Sequence, residues 1–430
     1  MKSYLKQSKD RIQSSLRSEF NRNILILTSG TAIAQAIPIL ITPILTRLYT
    51  PADFGALAVF VSIVSIVSVI SCGRYELAIM LPEKDEDAIN VAAVAFIFNL
   101  FVSILFLIFL LFLGDWFLRL LKAEVLKGWI YFAPLTVFMM GIFNILNYTN
   151  NRFKLYKDIA RANVYKSLTM AIIQLILGVL KAGYIGLITG QILAQFVANL
   201  KLFKNITLLY KFINKKEIIN KAKIYSSFPL ISSLGAVLDN LTTSLPYLMV
   251  PKMFGIVYSG YFFFSLKLLL VPISLISSNV GQVLLKELSF YKNKDLKILK
   301  ILYIKSFLKL LFISSSFSIL IFLSTFFLWG SVFGEKWNEC RDLVMYLIPA
   351  AFLRMIASPL SVIFIAMEKL SLSTFWQSLY FISSSVVIMV TFMLSLSFHI
   401  FIILFTLNEV IIYILYLILS FKVVNSIRGG

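Results

Sequence analysis

The sequence contains few of the residues from which soluble active sites and metal centres are built. Its 430 residues include two cysteines and one histidine, and only 14% of them are charged. The single His399 excludes a histidine-rich metal site. Cys72, near the end of the second apolar stretch, and Cys340, in a loop expected on the other side of a membrane, indicate no disulfide or redox motif.

Motifs of nucleotide and acyl chemistry are also missing from the sequence. It has no G-x-x-x-x-G-K-[ST] segment for nucleotide phosphates, no G-x-S-x-G nucleophile motif and no metal-ligand spacing. We therefore expect no catalytic residue, no cofactor and no metal, and no ATP-driven pumping within this chain.

Long apolar stretches dominate what the sequence does contain. Hydrophobic residues make up 59% of it, and roughly a dozen apolar stretches of about 20 residues run from Ile24 to the C-terminus. Stretches of that length match a hydrocarbon core roughly 30 Å thick, and in lipid they must be helical to satisfy their own backbone. A soluble protein could not hide so much apolar surface. The sequence predicts an all-α integral membrane protein.

Twelve transmembrane helices are predicted. Their ranges are 24–46, 56–80, 88–113, 129–149, 160–180, 184–204, 226–250, 258–284, 302–328, 343–366, 372–394 and 399–421.

The positive charge is distributed unevenly between the two sides that these helices create. The formal net charge is +20, and 30 of the 40 lysines and arginines fall on the side of the N-terminus, against 8 on the other side. In a soluble protein this excess would suggest a nucleic-acid partner, but in a membrane protein it marks the cytoplasmic side. We expect both termini in the cytoplasm and no nucleic-acid partner.

The two halves of the chain resemble each other weakly. A shift of 205 residues places Arg47 on Lys252, Tyr49 on Phe254 and Gly55 on Gly260. Such parallel repeats relate two lobes about an axis along the membrane normal. We predict a cytoplasmic segment 1–23, an N-lobe 24–204, a basic linker 205–225, a C-lobe 226–421 and a tail 422–430.

Four ionisable residues are predicted at membrane depth. They are Lys267, Arg354, Asp239 and Glu409. A charge at a helix centre costs about 2.5–3.5 kcal/mol, so such residues usually face a bundle interior or a wet cavity. Lys267 and Arg354 would contact an anionic group, and Asp239 or Glu409 would bind a proton or cation. The alternative is structural: a buried pair such as Asp239–Lys267, with Glu409 near its helix end.

Other polar residues complete the candidate site. The predicted cavity also includes Asn240, Gln35, Asn144 and Trp376, of which Trp376 would stack on a sugar or serve in packing. Candidates for the entrance or exit of a substrate are Arg74 and Glu76 on the inner side and Arg47 and Lys252 on the outer side. The alternatives for these four are a local ion pair and interfacial anchors.

The first 80 residues resemble a known family. The segments are Ser29-Gly30-Thr31 through Gln35, then Pro43 to Tyr49, Pro51 to Gly55, and Gly73-Arg74-Tyr75-Glu76-Leu77-Ala78-Ile79. They are similar to the opening of polysaccharide biosynthesis proteins. These are bacterial flippases of O-antigen and related lipid-linked oligosaccharides, in the superfamily that also holds multidrug extruders and the peptidoglycan-precursor flippase.

The resemblance implies two pseudo-symmetric six-helix lobes around a central cavity, and transport by alternating access. The implied substrate is a polyprenyl-diphosphate oligosaccharide, moved across the bacterial inner membrane. Implied partners are that substrate, membrane lipids, and the glycosyltransferases and polymerase of the same pathway. Three alternatives remain. One is an ion-coupled multidrug or cation extruder, which would favour acidic residues. The others are a membrane polysaccharide polymerase, which would need a larger outer loop, and a non-transporting scaffold or regulator, whose cavity would be lost or filled.

Overall fold

The structure, a computed structural model, describes residues 29–204, 209–292 and 294–426. These residues form twelve long helices. Their bounds are α1 Ser29–Leu48, α2 Pro51–Ser71, α3 Asp85–Leu120, α4 Ala133–Arg152, α5 Tyr156–Val179, α6 Tyr184–Phe203, α7 Ser233–Phe254, α8 Ile256–Lys292, α9 Leu296–Phe333, α10 Asn338–Leu360, α11 Leu370–Met393 and α12 Phe398–Ser426.

Each of these twelve helices corresponds to one predicted helix, so the predicted fold class is confirmed. The predicted segment 1–23, residues 24–28 of the first helix, 205–208 of the linker and 427–430 of the tail lie outside the described residues. Eleven candidate membrane spans are found in the described part of the chain. Helix α7 is the twelfth long helix; it has 22 residues and carries Asp239 and Asn240.

Three helices are much longer than a bilayer requires. Helices α3, α8 and α9 have 36, 37 and 38 residues. At a rise of 1.5 Å per residue they extend more than 50 Å, against a hydrocarbon core of about 30 Å. Their ends therefore project beyond the apolar slab, which is why the predicted ranges for these helices are too short.

Two local predictions are wrong. Helix α2 ends at Ser71 instead of continuing to residue 80, because Gly73 and Arg74 adopt left-handed backbone with φ of 56° and 60°. A short helix, Tyr75–Ala78, follows this turn. Cys340 lies in the first turn of α10 and is fully buried, whereas the sequence suggested a loop.

The bundle has two faces, which we name from their loops. The basic face holds the connections α2–α3, α4–α5, α6–α7, α8–α9 and α10–α11. The opposite face holds the connections between α1 and α2, α3 and α4, α5 and α6, α7 and α8, α9 and α10, and α11 and α12. Helices α1–α6 form the N-lobe and α7–α12 the C-lobe, and α2 packs against α7 and α8 to join them.

At the opposite face the two lobes share one hydrophobic core. Phe54 at the start of α2 makes edge-to-face contacts with Phe264 and Trp337 of the C-lobe, with ring centroids 5.9 and 5.1 Å apart. The Trp337 indole donates a 2.8 Å hydrogen bond to the Thr46 carbonyl, and the Arg47 guanidinium donates one of 2.7 Å to the Ser331 carbonyl. These contacts close the bundle at this face.

The contact between α2 and α8 is made by two glycines related by the predicted repeat. A Cβ built on Gly55 would overlap the carbonyl oxygen of Ile256, and one built on Gly260 would overlap that of Pro51. Shifting Gly55 and Pro51 by 205 residues gives Gly260 and Ile256. The contact is therefore reciprocal, as expected where a pseudo-twofold axis passes between equivalent segments.

Toward the basic face the hydrophobic cores separate. One cluster lies within the C-lobe and includes Leu284, Tyr303 and Tyr416. Another lies in the N-lobe around Cys72 and Val91, where the linker helix Lys215–Ile224 also packs. Toward the basic face each lobe therefore has its own core, and we infer a cleft between the lobes there.

The glycine contact gives the first prediction. We expect Gly55→Ala and Gly260→Ala each to lower the free energy of unfolding by about 1–3 kcal/mol, because the added methyl group overlaps backbone atoms. Gly235→Ala in α7 is the matched control, since nothing lies within 4 Å of its built Cβ. Unfolding in detergent measures the effect, and a Gly55→Ala protein as stable as the control would contradict it.

Candidate functional site

A cavity lined by hydroxyl groups opens beside α8 on the basic side of the bundle. We call it the serine cavity; it has a volume of about 500 Å³. Its polar lining is Ser274, Ser277, Ser278, Gln282, Arg354, Ser358 and Ser361, from α8, α10 and the residue after α10. Ser274, Ser278 and Gln282 are spaced four residues apart on one face of α8, and all three are exposed.

Gln35 reaches the edge of this cavity from the N-lobe. The Ser274 hydroxyl, which donates a 2.8 Å hydrogen bond to the Val271 carbonyl, also lies 3.4 Å from the Gln35 side-chain oxygen. This contact links α1 of the N-lobe with α8 at a residue that lines the serine cavity. Of the predicted cavity residues, Gln35 and Arg354 therefore belong to one region.

A second cavity lies inside the C-lobe, and Arg354 lines both. We call it the inner cavity; its volume is about 160 Å³, and its lining includes Thr242, Tyr247, Arg354, Tyr380 and Glu409. The arginine side chain thus forms part of the wall between the open cleft and the interior of the lobe.

Arg354 is paired with a buried carboxylate in this wall. Its Nη1 lies 3.9 Å from Oε2 of Glu409, whose side chain is only 4% exposed. The Tyr380 hydroxyl donates a hydrogen bond to the other carboxylate oxygen of Glu409, and the Tyr413 ring centroid lies 5.7 Å from the guanidinium carbon. Glu409 is the twelfth residue of the 29 in α12, so the suggestion that it sits near a helix end is wrong.

The suggested Asp239–Lys267 pair is not present. Asp239 is exposed on α7, and its carboxyl group interacts electrostatically with the Arg354 guanidinium. Lys267 faces α1 across a pocket of about 20 Å³ that is lined by Pro38 and Thr42. Its ammonium lies 5.9 Å from the Phe263 ring centroid, and no carboxylate forms an ion pair with it in the described part of the chain.

Other predicted residues take structural positions. Asn240 bridges the lobes: its amide donates a 3.0 Å hydrogen bond to the Ser65 hydroxyl of α2. Trp376 is 9% exposed, and its indole donates to the Ile412 carbonyl at 2.8 Å, so it packs within the C-lobe. Asn144 is half-buried on α4, in the lobe that does not hold Arg354.

The four candidates for entrance or exit divide between the two faces. Arg74 and Glu76 form a 3.8 Å ion pair at the basic face. At the opposite face the Arg47 guanidinium donates a hydrogen bond to the Ser331 carbonyl, and the Lys252 ammonium lies 5.6 Å from the Phe392 ring centroid.

Sequence reasoning missed one lysine within a helix of the N-lobe and one polar helix face at the serine cavity. Lys166 was counted with a basic connection, but it is the eleventh residue of α5 and lies 4.8 Å from the Phe143 ring centroid. The four-residue spacing from Ser274 to Gln282 was readable as one polar helix face. Within the described residues no three His, Cys, Asp or Glu side chains lie close enough together to hold a metal ion.

The Arg354–Glu409 pair gives the second prediction. Glu409→Ala would leave a largely buried guanidinium without its carboxylate, and we expect a loss of about 3 kcal/mol in unfolding free energy. Replacing both residues, as Arg354→Met with Glu409→Leu, should recover most of that loss. The control is Glu339→Ala, which removes an exposed pair with His399 and should cost less than about 1 kcal/mol. A double variant as unstable as Glu409→Ala would contradict the assignment.

Glu76 gives a prediction about pH. Burial raises the pKa of this carboxyl above its ordinary value of 4.5, although the Arg74 guanidinium opposes the change. The folded protein then holds the proton more tightly than the unfolded chain, so stability falls as the pH rises from 4.5 through the folded pKa. Glu76→Gln should flatten this part of the curve of unfolding midpoint against pH. An unchanged curve would show that Glu76 does not titrate there.

Comparison with known proteins identifies the family. The profile of the family described as polysaccharide biosynthesis protein matches residues 44–342, more than half of the chain. None of the curated protein sequences compared with the chain matches it.

Solved structures with the same fold are transporters. An inward-facing multidrug-resistance MATE transporter of the MOP superfamily is 14% identical, with a TM-score of 0.67 over 92% of this chain and 98% of the other. The lipid II flippase MurJ in its inward closed conformation is 15% identical, with a TM-score of 0.62 over 93% of this chain and 87% of the other. A MOP-superfamily transporter from Pyrococcus furiosus is 14% identical, with a TM-score of 0.61 over 95% of this chain and 96% of the other.

At these identities the structural matches establish the fold alone. The family match extends well beyond the opening segments on which the sequence resemblance rests, and it confirms that resemblance. This chain belongs to the polysaccharide biosynthesis protein family and has the fold of the MOP-superfamily transporters.

Proposed function

We propose that the protein is a flippase that moves a polyprenyl-diphosphate-linked oligosaccharide, the repeat unit of O-antigen or another surface polysaccharide, across the bacterial inner membrane. The observation that carries the proposal is Arg354 in the wall of the serine cavity. A fixed guanidinium among hydroxyl groups suits a diphosphate joined to a sugar, because the cation offsets the phosphate charge and the hydroxyls bond to phosphate and sugar oxygens.

The shape of the cleft supports the same substrate. Sugars and phosphates cannot enter hydrocarbon unaided, whereas a prenyl chain is soluble in it. A cleft that opens between two lobes admits the head group and leaves the chain in the bilayer. Lys267, which faces α1 at the junction of the lobes, would supply a second cation.

The basic face would lie in the cytoplasm, with both termini on that side, because cytoplasmic connections collect lysine and arginine. In this orientation the structure is closed outward and open inward, ready to receive a substrate assembled on the cytoplasmic leaflet. Transport requires the N-lobe, residues 24–204, and the C-lobe, residues 226–421, to rock about the α2–α8 contact. In this proposal the protein transports the oligosaccharide and does not catalyse its synthesis. Glycosyltransferases act before the transport step and a polymerase acts after it.

Transport in sealed vesicles tests the proposal. Purified protein is reconstituted with a fluorescent polyprenyl-diphosphate oligosaccharide, and translocation is followed with and without a proton or sodium gradient. We expect Arg354→Ala to reduce translocation about 10- to 100-fold, because a hydrogen bond to a charged group contributes about 1.5–3 kcal/mol. Lys267→Ala should have a smaller effect, since Lys267 lines a separate small pocket with Pro38 and Thr42 and not the serine cavity.

The matched control is Arg341→Ala, which removes an arginine from the same helix at an exposed site beside Asp342. It should translocate at the wild-type rate. Translocation retained by the Arg354→Ala, Lys267→Ala double variant would move the phosphate site elsewhere. Gradient-driven export of small organic cations, with no movement of the glycolipid, would establish the extruder that Asp239 and Glu409 would suit.

A further inference from the structure

A separate apolar groove lies on the N-lobe at the basic face. It has a volume of about 600 Å³, larger than the serine cavity. We call it the linker groove. Its N-lobe wall is Tyr75, Val94, Ile97, Phe98 and Phe101, and its other wall, from the linker helix and the residues after it, is Ile218, Ile219, Ala222, Lys223 and Ser226.

The linker helix is held firmly on the N-lobe, so the groove has fixed walls. The Tyr75 hydroxyl donates a 3.0 Å hydrogen bond to the Ala222 carbonyl. Lys221 forms a 2.9 Å ion pair with Asp87 at the start of α3. The backbone N–H of Asn214 donates a 2.9 Å hydrogen bond to the side-chain oxygen of Asn90. These three contacts fix the linker helix against α3 and the short helix Tyr75–Ala78.

The groove is apolar in its depth and polar at its rim. Along α3, Ile97 and Phe101 are 52% and 62% exposed and lie about 18 and 24 Å from the helix start at 1.5 Å per residue, within the apolar part of this span. Lys223 and Ser226 lie at the basic-face end, on the linker side. A molecule filling the groove would need a long apolar chain and a polar head at that end.

The charge at the rim selects an anionic head. Lys221 is paired with Asp87 and Glu217, but Lys223 is exposed and has no carboxylate within ion-pair distance in the described part of the chain. An exposed lysine at the boundary of a bilayer attracts anionic lipid head groups, by about 1 kcal/mol.

We propose that the linker groove binds one anionic phospholipid of the leaflet at the basic face. An acyl chain lies against Ile97, Phe98 and Phe101, and the phosphate meets the Lys223 ammonium and the Ser226 hydroxyl. The bound lipid joins the linker helix to α3 and so fixes the segment between the lobes to the N-lobe. This proposal needs only that the protein spans a membrane and is independent of the transported substrate.

Thermal unfolding in detergent with added phosphatidylglycerol, against phosphatidylcholine, tests the proposal. A ligand that binds only the folded protein raises the unfolding midpoint by an amount that grows with the logarithm of one plus the ratio of ligand concentration to Kd. We expect phosphatidylglycerol to raise the wild-type midpoint more than phosphatidylcholine does. Lys223→Glu should weaken the apparent lipid affinity at least tenfold, and Ile219→Trp, which fills the groove, should weaken it similarly.

Two variants on the same helix are matched controls. Lys215→Glu reverses an exposed charge away from the groove, and Ile224→Trp adds an indole to a residue that is 56% exposed and does not line it. Both should keep the wild-type response. If Lys223→Glu is unstable without lipid, Lys223→Gln replaces it.

Three outcomes would overturn the proposal. Equal stabilisation by the two phospholipids would show that the rim does not select an anion. A full phosphatidylglycerol response in both Lys223→Glu and Ile219→Trp would place the lipid elsewhere. Displacement of phosphatidylglycerol by a much lower concentration of a polyprenyl phosphate would identify the occupant as a prenyl lipid and not a phospholipid.

Discussion

The backbone contact between α2 and α8 determines the shape of this protein. Lipid chains are as apolar as leucine side chains, so helices in a bilayer associate through close packing and hydrogen bonds and not through a hydrophobic force. Gly55 and Gly260 allow two backbones to touch, and Phe54, Trp337 and Arg47 surround that contact. Since the lobes share their large core only at this end, the cleft opens at the other.

The number and order of the helices could be predicted because they depend on length and apolarity alone. Hydropathy, however, indicates which residues lie in the hydrocarbon layer, and it does not indicate where a helix ends. The ends of α3, α8 and α9 were therefore placed too early. The end of α2 depends on left-handed backbone at Gly73 and Arg74, which the hydrophobicity of the segment does not reveal.

The charged residues at membrane depth could be identified from the sequence, but their partners could not. A cost of about 2.5–3.5 kcal/mol requires some compensation without saying which side chain provides it. The Arg354–Glu409 pair joins two residues that are 55 positions apart in the sequence, so only tertiary structure shows it. Lys166 was missed because it follows a basic connection closely, and its partner is the ring of Phe143 instead of a carboxylate. By contrast, the spacing of Ser274 and Ser278 was visible in the sequence.

The position of Arg354 bears on the choice between flippase and cation extruder. A guanidinium has five donors in a planar fork, so one edge can face Glu409 while others face the serine cavity. Glu409 would be the natural ligand for a cation within the C-lobe, but the arginine charge already lies beside it. A cation there would have to displace or repel Arg354, whereas a phosphate in the cleft meets a positive charge already held in place. Because Glu409 and Asp239 both offset the charge of Arg354, the flippase proposal depends on the part of the guanidinium that lines the serine cavity.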